Sequence, residues 1–267
     1  MIDRSPFPIS DPDLAVRLCR DECPRSARYD PRWIIENSMG PVPIWLMEFL
    51  LPALTDLRPG ARVLDLGCGR AITSIFLAHE LDVQVWAADL WIDATKNLGR
   101  IRAAGVEDRV FPLHAEAHSL PFAEGFFDAI VSVDAYHYFG TDDCYLSKVR
   151  SFVRPGGPIA LAMPGLTHEL DEVPEHLRAA WRPDWWSFHS PAWWRRHAER
   201  TGPCVVDTAD LIPEGWRQWA VWGALPADPG LFPELSPGGR ESALIEGRAI
   251  EVDAGRTIGF TRLVVRA

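Results

Sequence analysis

The hydrophobic pattern of the chain changes near residue 60. Beyond that point, short apolar runs typical of buried strands alternate with stretches whose apolar residues recur at helical spacing. The predicted strands are 62–66, 83–89, 110–113, 127–133, 159–163, 205–208 and 259–265. This alternation predicts a doubly wound, mostly parallel seven-stranded α/β sheet, and the ligands of such sheets bind at the carboxyl ends of the strands.

The first 57 residues show helical spacing that prolines interrupt. Proline breaks a helix because it lacks the backbone N–H and its ring collides with the preceding turn. We therefore predict an N-terminal helical lid segment, residues 1–57, that folds across the pocket to exclude water. Tyr29, Trp33 and Asn37 are its predicted inner, substrate-binding face. An ordinary packed N-terminal helix is the alternative.

The strand and helix alternation lapses twice on the carboxyl side. The predicted Rossmann-like domain, residues 58–267, therefore carries substrate-side insertions at about 164–189 and 211–256. Eight of the 12 tryptophans lie after residue 180, so we predict a helical, Trp-rich insertion with Trp185 and Trp186 as acceptor-binding residues. These tryptophans fit an aromatic acceptor pocket, a cage for a cationic amine, or the cover of a homodimer interface.

Composition and charge exclude several classes of function. The formal charge of −10 and the lack of a basic, aromatic-rich surface argue against nucleic-acid partners. No apolar stretch reaches the roughly 18 residues that cross a bilayer, and no signal peptide opens the chain, so we expect a cytoplasmic protein without membrane contact. The five cysteines include no C-x-x-C pair, so we predict no metal site.

The stretch VLDLGCGRA, residues 63–71, lies on a predicted strand-to-helix turn. A dinucleotide fingerprint requires a third glycine that is missing here, and the Gly-Lys-Ser/Thr of a phosphate-binding loop is also absent. Asp65 would repel a diphosphate but attract an ammonium or sulfonium group. The turn therefore predicts a small cationic nucleoside rather than a dinucleotide.

This stretch resembles the first motif of the class I S-adenosylmethionine-dependent methyltransferases, with Ala71 in place of the last glycine. The resemblance covers roughly residues 60–165 and implies S-adenosyl-L-methionine as cofactor. It also implies that Asp65 helps to orient the methionine part, while the amides of Gly67 and Gly69 face the cofactor.

Further segments match the family in the same order. The segment HAEAHSLPF resembles its motif after strand three, and FFDAIVSVDAYHYF with VRPGGPIALAMP resembles its fourth strand and the turn that follows. The match implies that Glu116 accepts from the adenine amino group, while Asp89 is placed to bind the ribose hydroxyls. Trp91 either stacks on adenine or covers a loop. The predicted cofactor-binding residues are Asp65, Gly67, Gly69, Asp89, Leu90, Trp91, Glu116, Ala117 and Asp134.

The end of the fourth predicted strand is where the family places the methyl acceptor. We predict Asp134, Tyr136 and His137 as catalytic residues and Tyr138 as an acceptor-binding residue. His137 suits the removal of a proton because the unperturbed pKa of histidine is about 6.5. The alternatives are that His137 packs or positions substrate, and that Asp134 binds the cofactor or fixes a loop.

These observations predict an S-adenosylmethionine-dependent methyltransferase that acts on a small-molecule acceptor, with the methylated atom left open among oxygen, nitrogen, sulfur and carbon. Two alternatives share the same crevice. One is an S-adenosylmethionine-binding cyclase or lyase, and the other is a non-catalytic regulatory subunit of the same fold.

Overall fold

A seven-stranded sheet runs through the computed structural model, which describes residues 7–202 and 204–267. The strands are β1 (Arg62–Leu66), β2 (Gln84–Asp89), β3 (Val110–His114), β4 (Ala129–Val133), β5 (Pro158–Leu166), β6 (Val205–Leu211) and β7 (Ile258–Arg266). Their order is β3-β2-β1-β4-β5-β7-β6, with β1 to β5 parallel and β7 antiparallel to both β5 and β6. The predicted doubly wound, mostly parallel sheet is confirmed.

Helices cover both faces of this sheet. They are α1 (Pro12–Leu18), α2 (Pro31–Asn37), α3 (Pro43–Leu50), α4 (Ile72–Leu81), α5 (Ala94–Ala103), α6 (Tyr145–Ser151), α7 (Pro191–Thr201), α8 (Gly215–Ala224) and α9 (Pro237–Asp253). Short 3₁₀ turns add to the connections between these elements. None of the helices within the described ranges has both the length and the apolar character that crossing a membrane requires.

Two hydrophobic clusters fill the space between the sheet and its helices. Neighbouring residues of β1 belong to different clusters, Val63 to one and Leu64 to the other, because successive side chains of a strand point to opposite faces. The first cluster packs against α1 to α5, α8 and α9, and the second packs against α6 and α7. The sheet is therefore buried on both faces, which explains its uniformly apolar strands.

Local capping chemistry sets several helix boundaries. Ser190 caps α7 by accepting a hydrogen bond from the backbone N–H of Trp193, and Gly202 follows the last helical residue, as predicted. The chain after α5 passes through Gly105 at a φ of +67°, the left-handed conformation that glycine adopts at least cost. These two ends explain why the sequence alone locates both helices well.

The two lapses in the alternation correspond to the connections that follow β5 and β6. The first begins after Leu166 and contains 3₁₀ turns at Glu175–Leu177 and Pro183–Ser187. The second contains α8 and α9, and its Trp219 is buried and stacked on Phe260 of β7 at a centroid distance of 5.1 Å. Part of the tryptophan-rich region therefore packs into the core.

The α8 and α9 backbones touch at a pair of glycines. A Cβ built on Gly247 would lie 2.6 Å from the carbonyl carbon of Gly223, closer than real Cβ contacts allow. We expect Gly247→Ala to lower the free energy of unfolding by about 1–3 kcal/mol, because the helices must separate to admit the methyl group. Urea denaturation measures this change.

Gly99 provides the matched control, since it lies inside α5 with no described atom within 4 Å of an added Cβ. Gly99→Ala should stabilise the protein by about 0.5–1 kcal/mol, because alanine is the better helix former. Equal stability of the two variants would contradict close packing of α8 on α9.

Candidate active site

A cavity of about 330 Å³ opens at the carboxyl ends of β1, β2 and β4. Its walls come from the β1–α4 turn, the ends of β2 and β4, the segment after β3, and residues 37–43. The sequence-predicted residues that line it are Asn37, Gly67, Gly69, Asp89, Leu90, Trp91, Glu116, Ala117, Asp134 and Tyr138. The structure thus brings together side chains that are up to about a hundred positions apart in the sequence.

The other predicted site residues lie outside the lining of this cavity. They are Tyr29, Trp33, Asp65, Tyr136, His137, Trp185 and Trp186. Most of these side chains are buried in the hydrophobic clusters, and Trp186 is exposed. Their surroundings decide what each of them can contribute to the site.

The β1–α4 turn has three residues in the left-handed conformation, Gly67 at a φ of +75°, Gly69 at +53° and Ala71 at +62°. A Cβ on Gly67 would overlap the Cβ of Ala135, so no other residue fits there without movement. Ala71 has the backbone conformation that suits the glycine of the family motif, although it retains its Cβ. The turn therefore presents bare backbone to the cavity.

Asp65 lies fully buried beneath this turn. Its Oδ2 accepts hydrogen bonds of 2.6 Å from the hydroxyls of Thr73 and Ser74, while Oδ1 has no partner in the part of the chain that the structure describes. Burial raises the pKa of Asp65 to about 6, a rise that the two hydroxyls oppose and the nearby Asp89 carboxylate reinforces. A cationic donor near Oδ1 would satisfy this acceptor.

Asp89 links the end of β2 to the glycine turn. Its Oδ2 accepts from the Gly69 N–H at 2.8 Å, and its Oδ1 accepts from the N–H groups of Trp91 and Ile92 at 2.8 and 2.9 Å. A carboxylate oxygen accepts more than one hydrogen bond, so these contacts leave capacity for hydroxyl groups of a ligand. Asp89 therefore fixes the turn as well as lining the cavity.

Glu116 stands at the start of the 3₁₀ turn Ala117–Ser119 that follows β3. It accepts hydrogen bonds from the backbone N–H of His118 at 2.9 Å and from its Nδ1 at 2.8 Å. The backbone bond is the main cause that lowers the pKa of Glu116. The side chain is partly exposed at the cavity wall and remains an acceptor.

Asp134 follows β4 and lines the cavity. It has a φ of +55°, which is unusual for a residue other than glycine and is a feature of functional sites. A Cβ on Gly40 would overlap its carboxylate, so the N-terminal segment passes directly over this group. Burial, and then the charge of Glu246, raise the pKa of Asp134 to about 8, although Arg182 lowers it.

His137 and Tyr136 belong to the 3₁₀ turn after Asp134 and point away from the cavity lining. The His137 ring lies 4.0 Å from that of Tyr138 and 5.3 Å from that of Phe188, and burial lowers its pKa to about 3. The Tyr136 ring packs against Trp194 in the second cluster. Burial keeps the imidazole neutral and makes it a weak proton acceptor.

Two aromatic side chains meet across the mouth of the cavity. The rings of Trp91, after β2, and Tyr138, after β4, form an edge-to-face pair with centroids 5.4 Å apart. Trp91 is 65% exposed and Tyr138 is 47% exposed, high values for side chains of this size. Such exposure at a cavity marks a surface that binds ligands.

The predicted lid and insertion residues take different positions. Tyr29 is buried and donates its hydroxyl to Glu80 Oε1 at 3.1 Å, and Trp33 stacks on it. Trp185 is 1% exposed within the first hydrophobic cluster, and Trp186 lies on the surface against Trp181. Asn37 alone among the predicted lid residues lines the cavity.

Sequence reasoning missed several lining residues. Met39 and Gly40 cover Gly69 and Asp134, and Cys68, His118 and Phe139 also line the walls. Cys68, His118 and Phe139 are each next to a predicted site residue, and Met39 is two positions after the predicted Asn37. This proximity is the signal that could have found them. That Met39 and Gly40 reach Gly69 and Asp134 could not have been predicted, because only the path of the chain after α2 brings them here.

Comparisons with known proteins agree with this geometry. A family model described as "Methyltransferase domain" matches residues 63–157. The methyltransferase GfsG of Streptomyces halstedii is 31% identical over 121 residues, which cover 44% of this chain and 43% of that protein. The glycine/sarcosine/dimethylglycine N-methyltransferase of Actinopolyspora halophila is 24% identical, over 58% of this chain and 28% of that protein.

A solved structure extends the likeness in fold. Phosphoethanolamine N-methyltransferase 2 of Haemonchus contortus superposes with a TM-score of 0.71 at 16% identity, over 95% of this chain and 59% of that one. The chain spans less than half the length of the two curated relatives described above. The matched region contains the glycine turn, Asp89, Glu116 and Asp134. Residues 63–157 of this chain form a methyltransferase domain of the class I S-adenosylmethionine-dependent family.

Proposed function

We propose that this protein transfers the methyl group of S-adenosylmethionine to a small-molecule acceptor. The observation that carries the proposal is one cavity lined by a bare glycine turn, two acidic side chains for the nucleoside, and Asp134. The cofactor supplies a methyl group activated by a sulfonium and leaves as S-adenosylhomocysteine. Transfer is an in-line displacement, so the protein acts mainly by positioning the two reactants.

The residues present fit this cofactor. A Cβ on Gly67 would overlap Ala135, so the glycine turn packs closely on the segment after β4 and offers bare backbone to a ligand in the cavity. The buried Oδ1 of Asp65 lacks a partner among the described residues and suits the amino group of the methionine part. Asp89 would accept from the ribose hydroxyls and Glu116 from the adenine amino group, with the amide of Ala117 beside it.

The Asp89 assignment gives a measurable prediction. We expect Asp89→Ala to weaken S-adenosylmethionine binding by about 1.5–3 kcal/mol, because charged hydrogen bonds are lost and the Gly69 N–H loses its acceptor. Isothermal titration calorimetry measures this affinity. Asp93→Ala is the control, since this exposed carboxylate precedes α5 and makes no capping bond. Equal losses in the two variants would remove Asp89 from the site.

On the acceptor side we assign roles according to position. Asp134 and Tyr138 line the cavity, so we propose that they contact the acceptor, with Leu90 and Trp91 over the nucleoside. His137 lies behind Tyr138, and we therefore propose that it supports that ring rather than taking a proton. Tyr136 has a similar supporting place in the second cluster.

We also propose roles for the N-terminal segment and for the two insertions of the domain. We propose that the predicted segment 1–57, of which residues 1–6 lie outside the described residues, forms a lid whose Asn37 and Met39 wall the cavity, while Tyr29 anchors it to α4. Residues 58–267 would be the methyltransferase domain. Its insertions near 164–189 and 211–256 would act on the acceptor indirectly, through Phe188, which packs on His137, and through the charges of Arg182 and Glu246 on Asp134. Trp185 and Trp186 would then act by shaping the insertion.

Product analysis tests the proposed activity. Incubation with S-adenosylmethionine and a panel of phenols, amines, thiols and carboxylates should release S-adenosylhomocysteine in proportion to methylated acceptor, as read by mass spectrometry. Methylthioadenosine as the product would indicate cyclase or lyase chemistry instead. Tight cofactor binding without any turnover would indicate a regulatory subunit.

A further inference from the structure

The residues that line the cavity fall into two sets. The glycine turn, Asp89 and Glu116 are the set that we assign to the cofactor, and this inference rests on that proposed function. Asp134 and Tyr138 are the set that we assign to the acceptor, and Gly40 passes directly over the carboxylate of Asp134. The acceptor should therefore match the chemistry of this second set.

Three cationic or titratable side chains near the cavity make contacts away from Asp134. Arg70 lines the cavity from the β1–α4 turn and donates to the backbone oxygen of Glu36 at 2.5 Å, and the Nδ1 of His118 bonds to Glu116. Arg182, whose charge lowers the pKa of Asp134, forms a 2.5 Å ion pair with Glu246. None of the three makes a hydrogen bond or ion pair with Asp134 in the described part of the chain, so an anionic ligand beside Asp134 has no cationic partner among them.

The carboxyl group of Asp134 lacks a hydrogen-bond partner in the described part of the chain. Asp134 is nevertheless partly buried, and its backbone adopts the left-handed conformation. The pKa of this carboxyl rises to about 8 because burial disfavours its charge and Glu246 repels it. A bound cation would relieve both effects, because an opposite charge favours ionisation.

The rim of the cavity is apolar and aromatic. Trp91, Tyr138, Leu90 and Met39 are exposed by 65%, 47%, 52% and 48%, and all four line the cavity. Exposed apolar side chains grouped at one mouth mark a ligand surface, and aromatic faces also attract cations. An acceptor that fits both the rim and Asp134 has an apolar body and a positively charged end.

We propose that the methyl acceptor is a primary or secondary amine with an apolar body, held as its ammonium ion by the carboxylate of Asp134. The carboxylate takes one N–H proton and becomes a carboxylic acid, which frees the nitrogen lone pair. The nitrogen then bonds to the methyl carbon as the carbon–sulfur bond breaks and its electrons return to sulfur. The products are a methylated ammonium ion and S-adenosylhomocysteine.

Binding measurements test this proposal without turnover. The full-length protein is saturated with S-adenosylhomocysteine and titrated by calorimetry with nine probes at pH 7. They are 2-phenylethylamine, 2-phenylethanol, phenylacetate, tryptamine, tryptophol, indole-3-acetate, hexylamine, hexanol and hexanoate. At least one amine should bind about tenfold or more tightly than its matched alcohol, with no binding of the carboxylate.

The number of protons released on amine binding is a second quantity that the same titrations measure. A carboxyl that is largely protonated at pH 7 must ionise when it pairs with an ammonium ion, so amine binding should release a proton to the buffer. Titrations in buffers of different ionisation enthalpy measure this release. Asp134→Asn should abolish both the release and the preference for amines, whereas Asp93→Asn, at an exposed carboxylate outside the lining, should keep both.

Several outcomes would overturn the proposal. They are equal or tighter binding of an alcohol or carboxylate, failure of all three amines to bind the loaded protein, and an amine preference that survives in Asp134→Asn. Failure of S-adenosylhomocysteine itself to bind would count against the proposed function instead. Failure of the amines to bind therefore contradicts the amine proposal, and failure of S-adenosylhomocysteine to bind contradicts the proposed methyltransferase function.

Discussion

Replacing Asp134 with asparagine is expected to lower turnover by about 10²–10⁴-fold, the usual scale for a lost general base, while cofactor affinity changes little. Asparagine keeps the size of the side chain but cannot take a proton. Asp134 lines the cavity but is not among the residues that we assign to the nucleoside. Steady-state release of S-adenosylhomocysteine gives the rate, and calorimetry gives the affinity.

The pH profile identifies the group. Asp134 accepts a proton only as the carboxylate, so kcat/KM should rise with pH, reach half its plateau near the pKa of about 8, and level off above it. Asp134→Asn should lose this acidic limb. His137→Gln should keep it, because the imidazole has a pKa of about 3 and lies outside the lining. Loss of the limb in His137→Gln alone would return the proton-accepting role to His137.

Substitution of Gly67 should have the largest effect on cofactor binding. We expect Gly67→Ala to weaken S-adenosylmethionine binding by about 10–100-fold. The new Cβ would overlap the Cβ of Ala135, and the φ of +75° disfavours every residue with a side chain. The turn must shift to relieve both, and its amides shift with it. Titration calorimetry on the folded variant measures the loss.

Gly60 is the control that separates backbone strain from the steric overlap with Ala135. It has a φ of +78°, yet no described atom lies within 4 Å of an added Cβ. Gly60→Ala should therefore lower stability slightly and leave the affinity for the cofactor unchanged. Normal cofactor binding by Gly67→Ala would show that the β1–α4 turn is not the binding site.

The sequence predicts the strands and the glycine turn well because their signals are local. A buried parallel strand is a continuous apolar run, and the turn that follows β1 requires glycine at fixed positions. Asp89 is predicted at the end of β2 and is found there. Each of these assignments depends on a few neighbouring residues, so no knowledge of distant packing is needed.

The lining after β4 and the segment after α2 depend on contacts between distant parts of the chain, and the sequence predicts these positions less well. Asp134 and His137 are three positions apart, but a 3₁₀ turn directs only the first into the cavity lining. Met39 and Gly40 reach Gly69 and Asp134 only because the chain after α2 passes over the carboxyl ends of β1 and β4. Helical spacing of the tryptophans likewise does not reveal that Trp219 would pack on Phe260.

The antiparallel strand β7 also shapes how this scaffold can change. Since β6 and β7 are neighbours, the 212–257 connection leaves the sheet and returns to it on adjacent strands. The closure entropy of such a loop grows only slowly with its length. Helices in this connection can therefore lengthen, shorten or be exchanged during evolution while the strands that carry the glycine turn keep their register. The same β6–β7 junction is a natural point at which to graft a new helical module in an engineered enzyme.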